Sequence, residues 1–539
     1  MRGWVPALTL AGLTGCSLLG ITAAAHEHVV LRVNCGAEED YVDAAGHRWR
    51  ADRWATPDSG WGAVGGLTAR RADLAVDRTD APEVYRSERY SMRAYSFALP
   101  DGDYALRLHF AETYDGAAFE GGRVFSVTVN GKPALEDFDP FAAAGALAVP
   151  VVRRVDAVRV TAGDLRIEFR QQVQNPEVNG IEIIAKDITP EEAADMAEQL
   201  GQKPQAAHEE VGSRMLDGLR WPPHWVTRLG CIEGGLSYLG RDVSRPWLAG
   251  ASGYAFALNI NKQLCPSAPF VWDSGESFDA LARNAGYVVQ RVTDESSEDR
   301  DAARRAAWEM VRGALDEGTP CFSFDIGGGE YFVVHGYDEG GYYYRGFDNS
   351  SQGPIPWQAL GTTGIVDVVH VAAIRATEPA DDRTAVRDAI RFALDMQQQA
   401  ASTPDDAAYM RGVRAYDWWI AALRDPDSNP HGASFNAQYW AECRRLAVEF
   451  LKEADGRLAD PELAPLFADA AADYATVSEN LNAVAEALPM DGEWEPRLKD
   501  DHLMNELIAH LEAARDAEEK GLEALARLLQ VLDSAGEAT

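Results

Sequence analysis

The chain has 539 residues, a formal net charge of −35 and 46% hydrophobic residues. That length exceeds a single hydrophobic core and implies roughly three domains. The acidic balance excludes a nucleic-acid partner, because binding phosphate requires a basic surface.

Arg2 precedes an apolar run from Trp4 to Ile21, and Ala23-Ala24-Ala25 forms a small-residue cleavage site before His26. Residues 1–25 therefore read as the signal peptide of an exported protein, periplasmic or extracellular. Leu13-Thr14-Gly15-Cys16 offers the alternative of a lipoprotein anchored through Cys16. The run stays apolar from Ser17 to Ala25, which favours cleavage after Ala25. No other stretch approaches the about 18 apolar residues of a spanning helix, so no membrane span is expected. Five dispersed cysteines follow (Cys35, Cys231, Cys265, Cys321 and Cys443) without Cys-x-x-Cys spacing. They predict no structural metal site and no cofactor, and their odd number leaves at least one thiol without an intramolecular partner.

Residues 28–186 alternate apolar and polar side chains over short runs. Tyr104, Leu106, Leu108 and Phe110 point one way and Ala105, Arg107 and His109 the other; Phe125, Val127, Val129 and Leu165, Ile167, Phe169 repeat the pattern. Period-two alternation predicts half-buried strands. Asp101-Gly102, Asn130-Gly131 and Ala162-Gly163-Asp164 supply the turns, and many strands without helices between them predict an all-β sandwich. The ordered set Val33-Asn34-Cys35-Gly36, Ser87-Glu88-Arg89-Tyr90, Phe110-Ala111-Glu112-Thr113-Tyr114, Gly122-Arg123-Val124-Phe125 and Asn179-Gly180-Ile181-Glu182-Ile183 resembles the malectin family of carbohydrate-binding domains.

Thr189-Pro190-Glu191-Glu192 then opens a helix, and residues 187–210 read as a helical linker. Residues 211–378 begin with a helical segment around Cys231 and end in strands, an α+β order. Leu229-Gly230-Cys231, the glycine-rich Trp247 to Phe256, and Phe332-Val333-Val334-His335-Gly336-Tyr337-Asp338 followed by Asp348 carry a second resemblance. They are similar to papain-like domains of the double-glycine-peptidase and butirosin-biosynthesis-H-like groups. From Asp381 onward apolar stripes recur at helical spacing, broken at Asp425-Pro426-Asp427-Ser428-Asn429-Pro430, so residues 379–539 predict an α-helical bundle or a cap on the preceding domain.

The malectin resemblance implies a carbohydrate or glycoconjugate partner, held by aromatic rings on loops at one end of the sandwich and by polar acceptors. Tyr90 and Tyr114 match family tyrosines and Trp61 falls near a third aromatic position. Asp115 stands where an aromatic follows the second tyrosine, and Gln174-Asn175-Pro176 where Asp-Asn-Pro is the pattern. The papain-like resemblance implies Cys231 as nucleophile at a helix start, His335 as base and Asp348 (or Asn349) as its orienting group. The family's histidine would begin the strand, at the place of Glu330 or Tyr331. His335 lies four or five residues further on, roughly 13 to 17 Å along an extended strand, and His224 is the other candidate. Two functions follow. One is an exported carbohydrate-binding protein whose thiol domain is a cysteine hydrolase or acyltransferase on glycoconjugates. The other is a non-catalytic glycan-binding scaffold with a degenerate papain-like domain. An apolar wall around the Cys231 sulfur would favour the second.

Overall fold

A computed structural model describes residues 27–202, 212–271, 276–294, 299–404, 407–491 and 494–534. The proposed signal peptide and Cys16 lie outside these residues.

The alternating segments pair as the turns require. One six-stranded sheet runs, edge to edge, Val151–Val160, Gly102–Phe110, Gly180–Lys186, Glu27–Asn34, Arg48–Ala51 and Tyr41–Val42. It packs on a five-stranded sheet ordered Lys132–Phe138, Val124–Val129, Asp164–Val173, Ala94–Ala98 and Trp61–Val64. Asn130 and Gly131 adopt φ of 48° and 72°, and Ala162 and Gly163 63° and 75°. Two successive positive φ values form the tight turn that matches the right-handed twist of the paired strands. Leu106, Leu108, Phe110, Phe125, Val127, Ile167, Ile181 and Ile183 fill the space between the sheets.

The opposite face of Gly102–Phe110 is not left to water, as strict alternation predicts. Ala105 and His109 are buried too, because the short helix Pro82–Tyr85 and Trp49 cover that face with a small cluster of their own. His109 is satisfied there by the Tyr85 hydroxyl at 2.7 Å and Glu182 at 3.0 Å. A third sheet, Glu177–Val178, Ser87–Tyr90 and Leu67–Arg70, closes one end.

Helix Pro190–Gly201 starts at a capping box, with Thr189 and Glu192 satisfying each other's backbone N–H groups. It docks on the sandwich, burying Ala193 and Leu200 in the sandwich core.

Helix Thr227–Tyr238 then precedes an antiparallel sheet ordered Tyr287–Asp294, Val369–Ala376, Cys321–Phe324, Tyr331–Asp338, Gly341–Arg345 and Gln352–Ile355, with Arg214–Met215 paired on Tyr331–Asp338. The tail supplies helices Asp382–Ser402, Arg414–Leu423, Pro430–Leu458, Ala464–Ala487 and Asp501–Ser534. The two regions share one apolar core running from Leu216 to Leu532, and strands Asn259–Asn261 and Tyr409–Arg411 pair across the proposed 378/379 boundary. Arg444, fully buried, ties them further: it donates to the Ala255 and Ala257 carbonyls and forms an ion pair with Glu518 at 2.6 Å. The helices are therefore a cap on the α+β region, welded to it rather than hung from it.

Candidate functional site

At one end of the sandwich three loops are fastened by one buried guanidinium. Arg123 holds Glu112, itself fully buried, through Nε at 2.6 Å and Nη2 at 3.1 Å, and its Nη1 donates to the Asn175 carbonyl. The remaining capacity of Glu112 accepts the Tyr114 backbone N–H at 2.9 Å. Planar fork geometry lets arginine fix two segments at once, so the loops carrying Tyr114 and Gln174-Asn175 are set relative to one another. The strand carrying Tyr90 joins them: Ser91 N donates to the Pro176 carbonyl at 2.9 Å, and Tyr90 pairs with Glu177. Next to Tyr90, Glu88 accepts from the Thr113 hydroxyl at 2.5 Å and pairs with Arg71 at 3.2 Å.

Of the residues implied by the malectin resemblance, Tyr90, Tyr114, Asp115, Gln174 and Asn175 thus gather at this end. Tyr114 is 42% exposed, Asp115 is exposed, and Gln174 and Asn175 are half-buried. Tyr90 is half-buried, and its hydroxyl pKa is raised by burial and by Glu88.

Trp61 does not join them. It is 3% exposed, its N–H donates to the Leu200 carbonyl at 2.8 Å, the Arg53 guanidinium lies 3.9 Å over its ring, and Phe97 stacks at 6.1 Å. Arg53, held by the Leu200 and Gln202 carbonyls at the end of helix Pro190–Gly201, covers the face that a ligand would need. Sequence spacing gives Trp61 a strand position but not what lies on top of it.

The organising residues were not singled out by sequence reasoning. Arg123 and Glu88 lie inside the quoted motifs but carry no mark of burial. Glu177 is the most unusual: it is fully buried and neither carboxyl oxygen has a hydrogen-bond partner among the described residues. Burial, then Glu88, holds its pKa well above the carboxylate range, against the pull of Arg123. It pairs with Tyr90 across the strands, and burial favours its neutral form.

In the α+β region Cys231 is the fifth residue of its helix, fully buried, and burial pushes its thiol pKa well up. The dipole effect fades beyond the first turn and does not offset desolvation here. The groups acting on the thiol are Trp221, Arg228 and Glu330. Glu330 accepts from the Thr227 hydroxyl at 2.6 Å and burial raises its pKa to about 8. It stands just before the strand Tyr331–Asp338, and Glu330 or Tyr331 is where the papain-like resemblance would put its histidine.

His335 belongs to a different neighbourhood. Its Nε2 meets the Ser351 hydroxyl at 2.9 Å, and burial, with Arg345 adding, lowers its pKa to about 4. Asp348 is exposed and accepts from the Ser350 N–H and hydroxyl. Asn349 bonds the Trp221 backbone, while His224 is held between Glu233 at 2.6 Å and Glu442 at 3.5 Å. Cys231, His335 and Asp348 therefore sit among separate partners, and among the described residues none of them forms a Cys–His pair. Among the described residues the other thiols are unbridged, with Cys265 half-buried against the Ser267 hydroxyl at 2.9 Å.

Residues 29–187 match the family model described as the malectin domain, and this stretch of the chain is a malectin domain. Two probable LRR receptor-like serine/threonine-protein kinases of Arabidopsis thaliana are similar to it, at 30% identity over 163 residues and 28% over 167. Each match covers 26% of this chain and 16% of the relative, so the chain spans under a fifth of the curated relatives it matches. Among solved structures, the ANXUR1 extracellular domain from Arabidopsis thaliana is 18% identical, with 30% of this chain and 50% of that chain covered at a TM-score of 0.26. A Bacteroides uniformis beta-glucuronidase is 20% identical over 29% of this chain and 18% of its own, also at 0.26.

Proposed function

We propose that the protein is an exported carbohydrate-binding protein. Its malectin domain takes a sugar at the end formed by Tyr90, Tyr114, Asp115, Gln174 and Asn175, and the α+β region serves as a non-catalytic support. The observation that carries this reading is the exposed Tyr114 ring on a loop immobilised by the Glu112–Arg123–Asn175 linkage. A pyranose offers an apolar C–H face to an aromatic plane and directional hydroxyls to acceptors, and a pre-set loop spares the ordering cost of binding. In this reading Asp115, next in the chain, and Gln174 and Asn175, on the loop tied to it through Arg123, supply the polar partners.

The alternative, a papain-like hydrolase or acyltransferase acting through Cys231, His335 and Asp348, draws support from the order of helix and antiparallel sheet. Against it stand a protonated, water-excluded thiol and a carboxyl group where a base is needed. Nucleophilic cysteines lie in electropositive, partly exposed surroundings. A glycan array probed with the intact mature protein tests the proposal. Retention of defined oligosaccharides by the wild-type chain, with no turnover of esters or peptides, is the expected result. Binding to no glycan would overturn it.

A further inference from the structure

The sugar-binding end of the malectin domain is not open on all sides, because the α+β region abuts it. Arg93 pairs with Asp367 at 2.8 Å. A Cβ on Gly65 would come within 2.8 Å of the Gly364 carbonyl, and one on Gly328 within 3.1 Å of Leu67. Leu67 is the strand partner of Tyr90. The two loops that make this contact are fastened by Asp325, whose carboxylate accepts from Gly329 N, Ile365 N and Val366 N. Directly behind them, a Cβ on Gly327 would lie 2.5 Å from the Tyr344 ring. Tyr344 feels both Tyr90 and Asp348, and burial, together with those two groups, pushes its pKa up to about 12.

From Tyr344 a run of rings leads outward. Phe332 stacks on Tyr344 at 5.7 Å and meets Phe347 at 5.2 Å, and Trp221 meets Phe347 at 5.4 Å. Yet Phe347 is 65% exposed. It is held at the tip of a turn, Gly346 to Asn349, closed by Asn349 N donating to the Gly346 carbonyl at 2.9 Å. The Asn349 side chain clasps the backbone of Trp221 from both sides, accepting from its N–H at 2.7 Å and donating to its carbonyl at 2.8 Å. Asp348, next along the turn, spends only Oδ1 on Ser350; among the described residues Oδ2 has no hydrogen bond. An exposed aromatic ring on a closed turn, beside a carboxylate with spare acceptor capacity, is the chemistry that a sugar ring fits, and it sits on the region that meets the strand of Tyr90 through Leu67.

We propose that the Gly346–Asn349 turn is a second carbohydrate subsite, with Phe347 stacking on a sugar ring and Asp348 accepting its hydroxyls, so that a glycan seated at Tyr90 and Tyr114 extends onto the α+β region. The inference rests on the carbohydrate reading of the malectin domain. In this reading the α+β region lengthens the glycan that can be read, without catalysis being assigned to it.

The test uses the full chain on an array of malto-, cello-, xylo- and galacto-oligosaccharides, each as di-, tetra- and hexasaccharide. The variants are Phe347→Ala, Asp348→Asn and Tyr114→Ala. Wild-type binding should strengthen from di- to hexasaccharide. Phe347→Ala should weaken the longer glycans about tenfold while leaving the disaccharide unchanged. Asp348→Asn, which keeps the shape of the turn, should do the same to a smaller degree, and Tyr114→Ala should weaken all lengths together. Disaccharide binding with no gain from length, or a gain that survives Phe347→Ala, overturns the subsite and leaves the malectin site standing. A wild-type chain that binds no glycan overturns both.

Discussion

Glu177 and Cys231 show how burial decides chemistry at the scale of one residue. Folding holds the Glu177 pKa well above the usual carboxylate range because neither oxygen is solvated or bonded among the described residues. An acid whose folded pKa is raised binds more protons folded than unfolded. Its contribution to stability is therefore greatest below the ordinary value near 4.5 and falls as pH rises from there toward the raised one. Glu177→Gln removes that dependence. Thermal melts should show the variant gaining on wild type as pH rises above about 4.5, and a constant difference would mean that the folded state does not raise this carboxyl's pKa. For Cys231, iodoacetamide should leave the folded protein unlabelled at this position and label it only after denaturation. Cys265, the one cysteine of the five that is not fully covered, should react first. Rapid labelling of Cys231 would restore the thiol-enzyme reading. Neither behaviour could be read from the sequence: a glutamate beside Asn175-Pro176 looks like a loop acid, and a cysteine among glycines looks equally like a nucleophile or a core residue.

At the scale of elements, what counts is which loops and helices are tied together. Arg123→Ala would strand Glu112 in the interior and release Asn175, and removing one partner of a buried ion pair costs about 3 to 5 kcal/mol. Calorimetry should record that loss as a lower Tm, and an unchanged melt would mean that the loops are held by something else. Trp61→Phe separates fold from site. It deletes the N–H that the Leu200 carbonyl accepts, at about 1 kcal/mol, and should lower stability without altering glycan affinity. Much of this level was legible. Asn130-Gly131 specifies its hairpin because it tolerates the positive φ that the turn needs, and Thr189-Pro190-Glu191-Glu192 specifies a helix start because each group satisfies an N–H otherwise left bare. The seat of that helix on Trp61 was not legible, since a strand position does not reveal what covers it.

Over the whole molecule, the tail helices and the α+β region behave as one body because their apolar side chains form a single core. The sequence places a boundary near residue 378 because the pattern changes there from strands to helical stripes. That periodicity describes each segment's own face and is silent on which faces meet. Arg444→Met should therefore destabilise both regions together, in one calorimetric transition, and two separated transitions would mean independent domains. The malectin domain touches this body around Arg93–Asp367 and Leu67–Gly328, at the end where the sugar reading places its ligand. The most direct test of that reading is titration calorimetry of the full chain, wild type against Tyr114→Ala, with the strongest glycan from the array. The expected result is a loss of about tenfold or more in affinity with an unchanged melting temperature. An affinity that does not move when the Tyr114 ring is removed would contradict it.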